Sequence, residues 1–337
     1  MDQSSSLTCG VACLVQLIIT SVIGIIGNAI VLLVYLQKKD RFLSTLFIII
    51  LAINDLIACS FMIPFTIFME YRDFYIPFGQ LCYLYNLANS TLIPFCSLLL
   101  MIIAIDRYCC ICHPFKRIIT KDRAKILVLI AFGISLTQGI TSSICANYKQ
   151  DKDSYICEFD QQKGTYKEKL EVATKNIQAS TFGICILSDF IFYSLIYYTV
   201  CKQAKKKNVL IGPKPTKMST VSQIKAGSCP KPTETNLDDL ENISSISMNQ
   251  KKDRQTMQNL RTAAMLFAVT VVHTLTFFPA ILTQHKVINL QLNVFYLYYL
   301  NNAVNLIIYG FMSSSFRNKL KNLVKKCKRS NLEFGNL

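Results

Sequence analysis

The chain has 337 residues, 52% of them hydrophobic and only 17% charged, with a formal net charge of +16 and no tryptophan. Soluble domains carry roughly 25% charged residues, and here the charges gather between long apolar runs, which excludes an ordinary soluble enzyme and indicates a polytopic membrane protein. Nucleic acid is excluded as a partner by where the basic residues sit. They border the apolar runs on one side, where they face anionic lipid.

Seven runs are long enough to cross a bilayer core of about 30 Å at roughly 1.5 Å per helical residue. They cover roughly 11–36, 43–69, 81–108, 124–146, 172–201, 260–284 and 290–311. The first begins without a basic flank and is too long for a signal segment, so it reads as a span behind a tail of residues 1–10. Counting a charge in the end turn of a span with the connection it borders, 27 of the 36 Lys and Arg fall in the first, third and fifth connections and the C-terminal tail, against 8 on the other side. Positive charge stays cytoplasmic, so the N-terminus is expected outside and the C-terminus inside.

In chain order, the first span holds Gly27-Asn28, an amide that needs a partner on a neighbouring helix. The second holds Asp55, an intramembrane acid and therefore a candidate ion or water site, and Pro64, expected to kink its outer end. The third runs from Cys82 to Asp106-Arg107-Tyr108 and on to Pro114. It sets a thiol at one membrane face and an acid beside a base at the other, a pair able to close in one state and re-partner in another. Most of the 14 cysteines lie inside spans or on the reducing side. Cys82 and Cys157 form the clear exterior pair, whose bridge would pin the second outer loop to the third helix; Cys9, Cys13 and Cys145 stay unassigned. Around Cys157 the partial alternation Ser154-Tyr155-Ile156 and Glu158-Phe159-Asp160 permits a short hairpin. The third inner loop, about 202–259, has too few aliphatic residues to fold alone and reads as largely disordered, with its basic ends extending the fifth and sixth helices. After the seventh span, Phe316, Leu320, Leu323 and Val324 make the apolar face of a short interfacial helix, followed by Cys327, a palmitoylation candidate.

These residues together resemble the rhodopsin-like (class A) G-protein-coupled receptors. The likeness runs from Asn28 to Phe316: Asn28, Leu51-Ala52-x-x-Asp55, Cys82, Asp106-Arg107-Tyr108-x-x-Ile111-x-x-Pro114, Cys157, Tyr197, Pro279, Asn305-x-x-x-Tyr309 and Phe316. The resemblance implies an all-α membrane protein, a seven-transmembrane helix bundle over 11–311 plus a short amphipathic helix 8 in the tail 312–337. It implies a plasma-membrane receptor that takes an extracellular ligand in its outer half and activates a heterotrimeric G protein as helix six swings out, with arrestin and receptor kinases as further partners. Arg107 would pair with Asp106 at rest, and Tyr197 and Tyr309 would support the active state through water-mediated contacts with Arg107. An ion or water site would comprise Asp55, Asn301 and Asn305, with Cys96 where relatives have a hydroxyl, and sodium is the expected ion.

Departures from the family pattern cluster. Asp189 stands in place of the proline of helix five, His273 in place of the phenylalanine of helix six, and Ser97 in place of the aliphatic residue of helix three. A buried Asp and His satisfy one another if they face, so Asp189 and His273 are expected to hydrogen-bond, with Ser97 adding a contact. Asn259 stands where an acid would lock helix six to Arg107, and Phe277 where the family has tryptophan. Asn89 replaces the aspartate of amine receptors, which argues against a monoamine. Pocket candidates by position are Asn86, Asn89 and Ser90 on the third span, Thr181 on the fifth, Phe277 and Gln284 on the sixth, and Gln291, Phe295 and Tyr299 on the seventh. The set has no net charge, and a peptide is the favoured ligand. A transporter or channel is the alternative class, for which no internal repeat is found. A hydrolase using Asp189 and His273 is disfavoured for want of a cleft and oxyanion donors, and no enzymatic activity is expected.

Overall fold

The computed structural model describes residues 10–37, 43–114, 116, 118–151, 154–159, 165–211, 237–285, 287–288, 291–314, 316–323 and 325. Six helices are long and apolar enough to cross a membrane. They are α1 (Val11–Leu36), α2 (Leu43–Tyr71), α3 (Gln80–Cys112), α4 (Lys121–Cys145), α5 (Tyr166–Ile211) and α6 (Leu237–Gln284). The seventh, α7, is built from three consecutive pieces, Leu292–Phe295, the 3-10 turn Tyr296–Leu300 and Asn301–Met312. Together they reach about 30 Å at the helical rise. A further helical stretch over 316–323, α8, follows.

Apolar faces point both ways, as lipid requires. Phe61, Leu129, Phe190 and Leu275 lie outward, while Val31, Phe47, Leu99, Ile103, Leu266 and Tyr309 share one interior cluster. Since lipid is as apolar as a leucine, close approach and polar contacts must hold the helices together. Asn28 has the partner its position demanded: its Nδ2 donates to the Asn302 carbonyl of α7 at 2.7 Å and to the Gly24 carbonyl at 2.9 Å. A Cβ at Gly139 of α4 would meet Thr91 Oγ1 and stand 2.6 Å from the Leu87 carbonyl of α3. Backbone cannot step aside, so Gly139→Val is expected to lower the thermal midpoint of the purified protein by several degrees, at a cost of about 1–3 kcal/mol. An unchanged midpoint would mean that α3 and α4 do not pack at this distance.

At one end of the bundle a three-stranded antiparallel sheet lies across the helices, in the order β1 (Tyr75–Ile76), β3 (Ser154–Phe159), β2 (Ala146–Asp151). A hairpin does form, but the alternating stretch around Cys157 supplies only its second strand, β3, and β2 is its partner, with Tyr148 opposite Cys157. Strand β1, from the first outer loop, pairs Tyr75 with Ile156. Cys157 is disulfide-bonded to Cys82, with Cα atoms 5.5 Å apart. Cys13 is disulfide-bonded as well, and Cys145 is a buried free thiol. The third inner loop is more helical than expected: α5 continues to Ile211, and α6 already begins at Leu237. Residues 212–236, the tail 1–9 and Cys327 lie outside the described residues.

Candidate functional site

Two sites stand at opposite ends of α3. Beneath the sheet, a cavity of about 480 Å³ opens between α3, α5, α6 and α7. Of the nine pocket candidates, Asn86, Asn89, Ser90, Thr181, Phe277, Gln284 and Phe295 line it. Gln291 and Tyr299 do not. Gln291 caps the start of α7 and is exposed, and Tyr299 is turned into the core, where it lines a smaller cavity of about 20 Å³ beneath Asn89. The 3-10 turn accounts for Tyr299. It tightens α7 and presents Tyr296 and Tyr298 to the large cavity instead.

The walls differ in chemistry. Residues of α3 and α5 supply amides and hydroxyls: Asn86, Asn89, Ser90, Gln178 and Thr181. The α6–α7 wall is a run of rings, with Phe277 5.1 Å from Tyr298 and Tyr298 5.8 Å from Phe295. Phe182 of α5 joins them, 5.5 Å from Phe277. Behind this wall Tyr299 Oη lies 2.8 Å from Thr66 Oγ1 and donates to Asn89 Oδ1 at 3.3 Å, while Tyr296 donates to the buried carboxylate of Glu70.

Two charged features escaped the sequence. Glu70 fell outside the second span because the hydropathy run ends at Met69, yet α2 continues to Tyr71 and buries its carboxylate. The cavity is also not free of charge. Glu171 and Lys175 line it, one turn apart on α5, with Lys175 Nζ 2.5 Å from Glu171 Oε1. Hydropathy begins the fifth span at 172, whereas the helix begins at Tyr166.

At the far end of α3, Arg107 and Asp106 are 2% and 1% exposed and form an ion pair in which Arg107 Nε donates to Asp106 Oδ2 at 3.0 Å. Cys110, one turn on, lies 3.8 Å from Arg107 Nη2 and 3.9 Å from Asp106 Oδ1. Tyr108 packs on Phe192 of α5. Neither Tyr197 nor Tyr309, expected to meet Arg107 through water in the active state, contacts it directly here. Tyr197 is 73% exposed on the lipid-facing side of α5, and Tyr309 is buried against Tyr35 and Phe316. In this structure Arg107 is held by Asp106.

Midway along the bundle Asn305 Nδ2 donates to Asp55 Oδ2 at 2.5 Å, and Asn301 Nδ2 points to Cys96 Sγ at 3.7 Å. Ser97 Oγ and His273 Nε2 are 2.9 Å apart, as the polar connector required. Its other half fails: no hydrogen bond joins Asp189 to His273, and both Asp189 Oδ1 and His273 Nδ1 are buried without a partner among the described residues. Ser97 occupies the ring nitrogen that faces α3.

A family model described as "7 transmembrane receptor (rhodopsin family)" matches residues 27–318. The chain is similar to the neuropeptide FF receptor 2 of Rattus norvegicus, at 25% identity over 323 residues, 90% of this chain and 70% of that protein. It is similar to the melatonin receptor type 1B of Mus musculus at 21% identity, over 91% of this chain and 76% of the relative. The crystal structure of squid rhodopsin superposes with a TM-score of 0.68 at 17% identity, covering 94% of this chain and 85% of that one.

Proposed function

We infer the activity from descent, for the chain belongs to the rhodopsin family of seven-transmembrane receptors: it is a G-protein-coupled receptor, and the transporter or channel alternative falls away. We propose that its ligand is a peptide that enters from outside through the sheet-covered mouth, and that the N-terminus is extracellular and the C-terminus cytoplasmic, as the basic connections require. The observation that carries this is the 480 Å³ cavity with an amide wall facing an aromatic wall. Backbone amides of an extended segment pair with Asn86, Asn89 and Gln178, while a ring or aliphatic side chain stacks on Phe277 and Tyr298. Such a volume takes an end of a peptide and leaves the remainder to the sheet. The similar rat protein is a receptor named for a neuropeptide.

On this reading the closed Asp106–Arg107 pair is the resting form of the transducer switch. Ligand binding moves α6 outward and frees Arg107 to meet the G protein. Arrestin and receptor kinases bind the same face, palmitoyl on Cys327 anchors the tail, and inner-leaflet lipid holds the basic connections. Sodium at Asp55 belongs to the same proposal. Asp55 Oδ1 and Asn305 Oδ1 are buried oxygens without hydrogen-bond partners among the described residues, which fits a hard cation, although Cys96 offers sulfur where such an ion takes oxygen. Sodium chloride in place of choline chloride is expected to raise the thermal midpoint of the wild-type protein and to leave that of Asp55→Asn unmoved; equal responses would remove the ion from the proposal.

The deciding experiment is nucleotide exchange on a G-protein panel in cell membranes, challenged with peptides and small neutral metabolites, with Arg107→Ala as control. A peptide response that Arg107→Ala abolishes is expected. A response confined to metabolites would overturn the peptide. With an active peptide in hand, Phe277→Ala is expected to weaken its potency by roughly 10- to 100-fold, the weight of one buried aromatic contact at about 1–3 kcal/mol, and an unshifted dose–response curve would place the ligand elsewhere.

A further inference from the structure

The Asp106–Arg107 pair uses only half of its carboxylate. Nε and Nη2 of Arg107 both donate to Oδ2, so Oδ1 must find its hydrogen bond elsewhere. Asp106 is buried, and a sealed carboxylate oxygen without a donor carries the full cost of its lost hydration. The donor is Cys110. Its Sγ lies 3.9 Å from Asp106 Oδ1 and 3.8 Å from Arg107 Nη2.

A thiol suits both contacts, for it gives its hydrogen to the acid while the sulfur accepts the second hydrogen of Nη2. The three side chains thus close a ring, from Asp106 Oδ1 through Cys110 and Arg107 back to Asp106 Oδ2. Helix geometry puts the sulfur there. Cys110 follows Asp106 by four residues and Arg107 by three, and both spacings fall on one face of α3. The next thiol along is engaged differently: Cys112 Sγ donates to Thr199 Oγ1 of α5 at 3.3 Å and so ties the end of α3 to its neighbour. Among the described residues Cys110 is the one donor to Oδ1.

We propose that Cys110 is a positioning residue of the switch, whose thiol holds Asp106 in the orientation that keeps Arg107. The role rests on the reading of Asp106–Arg107 as the transducer switch. Thiols are weak donors and weak acceptors. Cys110 therefore satisfies the buried oxygen while the pair is closed and adds little to the barrier when Arg107 re-partners, where a hydroxyl or an amide would hold harder.

The test needs no ligand. In cell membranes at equal surface expression, Cys110→Ala is expected to raise basal nucleotide exchange on the G-protein panel about threefold, the weight of one weak hydrogen bond. Cys110→Val fills the space without a donor and is expected to do the same; a Val variant that keeps the wild-type rate would mean that the thiol only packs. In an Asp106→Asn background either change is expected to add little, and full additivity overturns the role. Cys112→Ala is expected to leave the rate unmoved, and an equal rise there would make the effect a general loosening of α3. If Asp106→Asn itself has no effect, the switch reading fails; if it raises the rate and Cys110→Ala does not, the role of Cys110 alone fails. Infrared spectroscopy of the full-length receptor in lipid nanodiscs is a readout that packing does not move. The S–H stretch falls in a window clear of other protein bands and shifts to lower frequency when the thiol donates. The wild-type minus Cys110→Ala difference spectrum is expected to show such a lowered band, moving back up in the Asp106→Asn background. A wild-type band at the free-thiol frequency overturns the contact, whatever the exchange assays give.

Discussion

Asp106→Asn is expected to raise ligand-independent nucleotide exchange on the G protein by roughly tenfold, while Arg107→Ala gives no response, basal or stimulated. The first expectation rests on how Arg107 is held. Nε and Nη2 both donate to one carboxylate oxygen of Asp106, and both residues are buried. Charge-assisted bonds are about twice as strong as neutral ones, so an amide in place of the carboxylate lowers the hold on Arg107 and shifts the resting equilibrium. A shift of about 1.4 kcal/mol is tenfold. Helix α6 offers no second anchor at Asn259, where an acid would be needed. Exchange measured in membranes at equal surface expression checks this. A basal rate that Asp106→Asn leaves unchanged would show that the pair is structural and that the switch lies elsewhere.

The second large effect belongs to the disulfide. Cys82→Ser or Cys157→Ser opens a loop of 75 residues, and the chain-entropy account of such a crosslink gives about 4–5 kcal/mol. The bond also fixes β3, whose Cys157 amide donates to the Phe74 carbonyl at 3.1 Å. Phe74 and Cys157 both line the cavity mouth. Thermal midpoint and peptide binding are therefore expected to fall together, and with so large a loss most of the variant should fail to reach the cell surface. Reduction of the folded wild-type protein by a membrane-impermeant phosphine separates the two effects, since it is expected to weaken binding before the bundle unfolds. Binding unaltered by complete reduction would show that the sheet does not shape the site.

Length and polarity made the bundle legible. The first span coincides with α1, because hydropathy and helix there end at the same residues. Cys82, Cys157 and the Asp106–Arg107 pair were also readable, each being a rare residue type at a membrane boundary. Hydropathy failed wherever a helix outran its apolar run. Glu70 and Glu171 were assigned to loops for that reason, and with them went the buried partner of Tyr296 and the charge in the cavity. Rotation about a helix was the other blind point. Tyr299 was placed in the cavity by spacing along the chain, yet it is turned into the core. Asp189 and His273 lie on facing helices, but whether their side chains meet depends on the register and rotation of α5 against α6. Sequence does not carry that.

Helix α2 contains one wide turn, the π-helical Ala58–Met62, immediately before Pro64. The proline was expected to bend the helix, and the wide turn gives its ring room against the preceding carbonyls. A turn of this kind also takes in about one residue more than its neighbours. Everything beyond it is rotated by roughly the 100° that one residue contributes to a regular helix, which is what brings Thr66, Met69 and Glu70 to the interior. The outer third of α2 therefore obeys a different phase from the inner two-thirds. Removing one residue between 58 and 62 while keeping every side chain around the cavity would swing Glu70 out toward lipid and strand Tyr296. Among relatives, a one-residue deletion here would be a change of recognition surface, made without altering any residue that touches the ligand.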